Sequence, residues 1–90
     1  MNKNEPNREA LTVWVKEQHA GQLIRKTEKP YFDHLLFVAE KAGSVFPLGY
    51  EIGICHDLLE KTNVNEPELL SSLLCFGYLS PSAEHIYILV

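Results

Sequence analysis

The apolar positions of this chain recur at helical spacing in a series of short segments, each closed by a stop signal. The most telling lies mid-chain, where Leu48, Ile52, Cys55 and Leu59 fall at i, i+4, i+7 and i+11. That stripe predicts a helix from near Pro47 to Glu60 or Lys61. Upstream, Tyr31, Leu35, Val38 and Ala42 form the stripe of a helix over about Tyr31 to Ala42, with Gly43 as its C′ residue. Leu11, Trp14, Val15, Gln18 and Gln22 share one face of a first helix, and His19 lies at its margin. Asn4 or Asn7 caps that helix and Pro6 fits its first turn. Downstream, Asn65-Glu66-Pro67-Glu68 reads as a capping box, with Val64 and Leu69 placed as a hydrophobic staple. Leu69, Leu70, Leu73 and Leu74 then point inward and Gly77 ends the helix. Ser80-Pro81 opens a last helix whose core stripe is Ala83, Ile86, Tyr87 and Val90. The pattern predicts an all-α fold of about five short helices, and residues 1–90 make a single domain with no visible repeat or linker.

Composition narrows the function classes. A hydrophobic content of 46% is ample for a core, so disorder is not expected. The formal net charge of −4 argues against nucleic-acid polymers as partners, since these need a strong basic field. Four of the eight basic residues, Lys16, Arg25, Lys26 and Lys29, nevertheless cluster in a short span, which leaves room for a local anion site or a solvated basic loop. Cys55 and Cys75 are expected to be small core residues of a reducing compartment. No signal-peptide run and no membrane-length apolar stretch is visible, so no membrane partner and a cytoplasmic location are expected. The apolar end Ile86 to Val90 lacks a cap or polar tail, and the expectation is a fragment cut short at its C-terminus or an oligomer formed through that helix.

The candidate chemistry sits in the mid-chain helix. His56 and Asp57 interrupt its apolar run, and Glu60 follows three residues after the Asp. Burying an imidazole beside a carboxylate is costly unless they pair with each other or bind something between them. A salt bridge and a metal ion both answer that cost. With a short connection, the two middle helices should be antiparallel neighbours, which brings His34 towards His56 and Asp57. Two imidazoles and one carboxylate form a mixed N/O set suited to Mn2+, Fe2+ or Zn2+. Adjacent helical residues diverge by about 100°, so His56 and Asp57 share an ion only if it lies close to the helix. Gly49 and Gly53 on the preceding turns leave room for one, or for close helix packing. On the first view, Gly53→Leu should lower metal affinity more than stability. Trp14, Tyr31 and Cys55 are read as core packing, His19 as a hydrogen-bonded core residue, and His85 as a surface residue.

Taken in order, His19, Arg25-Lys26, Pro30-Tyr31, His34, Cys55-His56-Asp57, Glu60 and Thr62 resemble the HD-domain phosphohydrolases. The pattern is most similar to the small (p)ppGpp hydrolases and the hydrolase domain of the RelA/SpoT homologues, and it covers about His19 to Gly77. The resemblance implies an HD-domain-like helical bundle in which His34, His56 and Asp57 hold a divalent metal, usually Mn2+. It also implies that Glu60 is the catalytic carboxylate that orients the attacking water, and that Arg25 and Lys26 lie near a guanine nucleotide. Lys61 stands where the family has an acidic neighbour of that Glu, and is expected to contact a phosphate. Asp33-His34-Leu35 replaces the family's Asn-His-Pro, and the family's fourth ligand, an Asp beyond the helix that begins near Ser80, would follow Val90. The implied activity is metal-dependent hydrolysis of a nucleotide phosphate or pyrophosphate. The alternative is a catalytically degenerate module that binds a nucleotide or a protein partner, and a plain helical interaction domain is a third reading.

Overall fold

The computed structural model describes residues 6–90. It contains six helical segments and, among the described residues, no strand beyond one isolated bridge between Leu23 and Pro30. These are α1 (Arg8–Gln18), α2 (Tyr31–Gly43), α3 (Gly49–Cys55), α4 (Leu58–Lys61), α5 (Glu66–Cys75) and α6 (Ser80–Leu89). The expected all-α bundle is present. The five expected helices become six because the mid-chain helix breaks at His56 and Asp57.

Local signals explain most boundaries. Asn7 caps α1 by accepting from the Ala10 amide at 2.9 Å, which puts Pro6 before the cap rather than in the first turn. Asn4 lies outside the described residues. Helix α1 stops at Gln18, so Gln22 falls in the following loop and not on a helical face. Asn65 accepts from the Glu68 amide at 2.9 Å at the start of α5. That helix ends in a Schellman motif: Tyr78 N donates to Leu73 O and Gly77 N to Leu74 O, with Gly77 at φ 97°. Gly43, expected beyond α2, is its last helical residue, and Ser44 forms the cap. Leu79 rather than Ser80 caps α6.

The core is built from Leu11, Val15, Leu35, Ala39, Ile54, Cys55, Leu58, Leu69, Leu73, Ala83 and Ile86, all fully buried. Val64 and Leu69, the staple pair, both belong to it. On the mid-chain helix the buried face is Ile54, Cys55 and Leu58, while Leu48, Ile52 and Leu59 pack half-buried at its flank. Leu74 is exposed, as is Cys75, so the second cysteine is a surface thiol and not a core residue.

The α2–α3 pair is the most extensive helix contact in the molecule. A Cβ on Gly49 would lie 2.1 Å from Ala42 O, and one on Gly53 would lie 2.8 Å from Ala39 Cα. Ala42 opposite Gly49, Ala39 opposite Gly53 and His34 beside His56 is an antiparallel register. The two glycines therefore serve close helix packing. This overturns the expectation for Gly53→Leu, because the new side chain would drive α2 off α3 and strike stability first.

Candidate functional site

The break between α3 and α4 builds the site. Asp57 leaves helical geometry (φ −105°, ψ 3°), and the divergence of adjacent side chains on a regular helix no longer applies. Its carboxylate turns to the same side as the imidazole before it, and His56 Nε2 lies 3.2 Å from Asp57 Oδ2. The other ring nitrogen, Nδ1, lies 2.5 Å from the Gly53 carbonyl oxygen. A carbonyl only accepts, so Nδ1 carries the proton and a neutral ring presents a bare lone pair at Nε2. Two acceptors 3.2 Å apart are held together by a shared proton or by a cation between them.

Tyr31, at the first position of α2, reaches the same carboxylate oxygen. Its hydroxyl donates to Asp57 Oδ2 at 2.5 Å. Partial burial, that hydrogen bond, the Asp57 charge and the charge of Glu60 push the phenol up to about 12. Tyr31, read from sequence as core packing, is thus a polar member of the site; the Pro30-Tyr31 element beside His34 was the signal that pointed to it. The rings run in series, with His19 and Tyr31 5.7 Å apart, Tyr31 and His34 5.5 Å apart, and His34 and His56 6.2 Å apart between centroids.

His34, His56 and Asp57 are neighbours without being a closed ligand set. Among the described residues, no three His, Cys, Asp or Glu side chains form a group able to hold a metal ion. Two imidazoles on one ion, each bonded at about 2.1 Å, would have ring centres roughly 5 Å apart. The observed 6.2 Å is about an ångström longer, and His34 is exposed on the first turn of α2. The donor types and the orientation of His56 suit a divalent ion, whereas the spacing of the third ligand does not yet.

A cavity of about 470 Å3 is lined by Gln22, Leu23, Arg25, Tyr31 and Lys61, and Tyr31 is its link to Asp57. Lys61 Nζ sits 5.4 Å above the Tyr31 ring, a cation–π contact. The structure thus brings Arg25 and Lys61 to one cavity. Lys26 is exposed at the tip of the loop with φ 65° and is not part of that lining. Glu60 is exposed on α4, without a hydrogen-bond partner among the described residues, and its charge reaches Tyr31. Sequence reasoning missed Gln22, which joins the cavity wall to the end of α4: its Nε2 donates to Lys61 O at 2.7 Å. His19 is 2% exposed, bonds Gln22 through Nδ1 at 2.8 Å, and leaves Nε2 with no partner.

Compared with family models, with curated proteins and with solved structures, the chain matches none. No helix of the described residues is long and apolar enough to cross a membrane.

Proposed function

We propose that the chain is an HD-type, metal-dependent phosphohydrolase domain acting on a nucleotide phosphate or pyrophosphate, with (p)ppGpp as the first substrate to test. The observation that carries the reading is the approach of His56 Nε2 to Asp57 Oδ2, with Nδ1 turned to the Gly53 carbonyl, an arrangement that a cation at that point would satisfy. His34, His56 and Asp57 would hold it, with Mn2+ favoured and Fe2+ or Zn2+ compatible with the same donors. When bound, such an ion polarises phosphoryl oxygens and acidifies a water towards neutrality.

The chain's own residues have separable tasks. Gly53 O fixes the tautomer and the plane of His56, as outer partners of metal-binding imidazoles do. Tyr31 donates to Oδ2, the same Asp57 oxygen that faces His56, and so fixes the plane of the carboxylate. Arg25 and Lys61 supply positive charge to a phosphate entering the cavity, and the Tyr31 ring provides a flat wall for it. Glu60, one turn beyond Asp57, orients the water that attacks phosphorus and takes its proton.

The incomplete ligand set favours a second reading, a module that binds the nucleotide without turnover. Metal content of protein purified without chelator, together with phosphate or pyrophosphate release from ppGpp in added Mn2+, separates the two. Hydrolysis that is lost in Asp57→Asn supports the enzyme. Nucleotide binding with no release supports the binding module. Release that is equal in both proteins rules out the assigned site.

A further inference from the structure

Gln22 is the hub of the cavity, although it touches neither His56 nor Asp57. Its backbone carbonyl accepts from Tyr31 N at 2.8 Å. Its side-chain Nε2 donates to Lys61 O at 2.7 Å, and its Oε1 faces His19 Nδ1 at 2.8 Å. The orientation of the amide is forced. Lys61 O only accepts, so the NH2 end of Gln22 must face it; Oε1 then faces His19, and His19 Nδ1 must donate. The buried imidazole therefore clamps the amide in the one orientation that can hold Lys61.

The tie matters because α4 is a single turn of four residues. Such a helix has almost no stability of its own, and the carbonyls at its C-terminal end lack intrahelical partners. The Gln22 amide caps one of them from outside the helix. On the other wall, the segment carrying Arg25 is pinned to the start of α2 by Ile24 N to Lys29 O at 2.9 Å and by the Leu23–Pro30 bridge. Gln22 opens that segment, and its side-chain bond to Lys61 O ties the segment to α4, which carries the second cation.

We propose that Gln22, oriented by His19, is a positioning residue that fixes the spacing of Lys61 and Arg25 and thereby tunes the cavity for a phosphoryl or pyrophosphoryl group. The choice of ligand rests on the function proposed above, whereas the positioning does not. Gln22→Met keeps the length of the side chain and removes the donor to Lys61. Two measurements test it. In the first, 13C-edited spectra follow the Lys61 ε-methylene, which the Tyr31 ring, 5.4 Å from Nζ, should shift upfield in the native protein. Gln22→Met should move that resonance to the position of a free lysine while the melting temperature changes little, and His19→Phe should move it part of the way. An unmoved resonance overturns the positioning role.

In the second, inorganic pyrophosphate is titrated into the native protein, Gln22→Met, Lys61→Met and the double variant. Gln22→Met alone should weaken binding roughly tenfold, and should add almost nothing when Lys61→Met is already present. Equal losses in both backgrounds overturn the coupling. If the native protein ignores pyrophosphate while the Lys61 resonance still depends on Gln22, the positioning stands and the phosphohydrolase reading falls.

Discussion

Two carboxylates are buried on the broken mid-chain helix six residues apart, and their surroundings are opposite. Glu51 is 2% exposed and every hydrogen bond it needs comes from the fold. Arg8 reaches it with two donors, at 3.0 Å from Nε and 3.2 Å from Nη2, and Tyr78 donates its hydroxyl at 2.7 Å. Arg8 also lies 4.6 Å from the Tyr50 ring centre, so α1, α3 and the α5–α6 link are drawn together on one charge. Burial and the Glu51 hydrogen bond push the Tyr78 phenol up from its ordinary range. Asp57, 8% exposed, has the Tyr31 hydroxyl and His56 Nε2 against the same oxygen, Oδ2. The first carboxylate is closed and locks three elements. The second has a single hydroxyl donor and one imidazole, and a buried carboxylate so sparsely answered is where a ligand gains the most.

The largest expected effect comes from the scaffold both regions share. Gly53→Leu should destabilise the protein by about 3 kcal/mol or more, because the new side chain meets the α2 backbone. Urea unfolding measures it, and a loss under 1 kcal/mol would show that α2 moves aside freely. Next, Arg8→Met leaves Glu51 buried with only Tyr78 to answer it, and should cost about 2–3 kcal/mol, moderated because the Arg8 side chain is half-exposed. The same variant should leave metal binding unchanged, and a parallel loss of both would erase the distinction between the two sites. Asp57→Asn keeps an acceptor for Tyr31 and should change stability by no more than about 1 kcal/mol. A much larger loss would make Asp57 a second structural anchor like Glu51.

The smallest effect is a pH dependence. Folding raises the Tyr31 phenol from 10.0 to about 12, so its contribution to stability is complete below pH 10 and disappears as pH rises through about 12. Stability profiles of the native protein and Tyr31→Phe should therefore converge above pH 12 and separate below 10. Profiles that stay parallel across that window would mean that the hydroxyl is not held by Asp57.

How much of this was legible in the sequence depended on range. The Asn65 cap, the Gly77 stop and the Val64–Leu69 staple were readable because each works within a few residues. The Arg8–Glu51 lock was not, since its partners are 43 residues apart and a Glu in a helical segment looks solvated until something distant covers it. Periodicity also misplaced the buried face of the mid-chain helix. Gly49 and Gly53 let α2 approach so closely that Ala39 becomes fully buried and Ile54 and Leu58 take the core. For the candidate site, the nearness of His34 to His56 and Asp57 was readable from helix order and the short connection between the two middle helices. The helix break that turns Asp57 towards His56 was invisible, because a 3.6-residue pattern passes through it unchanged. Gln22 was misassigned for the related reason that α1 ends four residues before it, at Gln18.

The central claim is that the Asp57 region, and not the Glu51 region, binds a cation. Titration of Mn2+ into chelator-washed protein, followed by the loss of the free-ion electron paramagnetic resonance signal, tests it most directly. The expected result is one ion per chain, at least tenfold weaker binding in His34→Ala, His56→Ala and Asp57→Asn, and native affinity in Arg8→Met. Absence of Mn2+ binding, or equal binding in Asp57→Asn and the native chain, would contradict it.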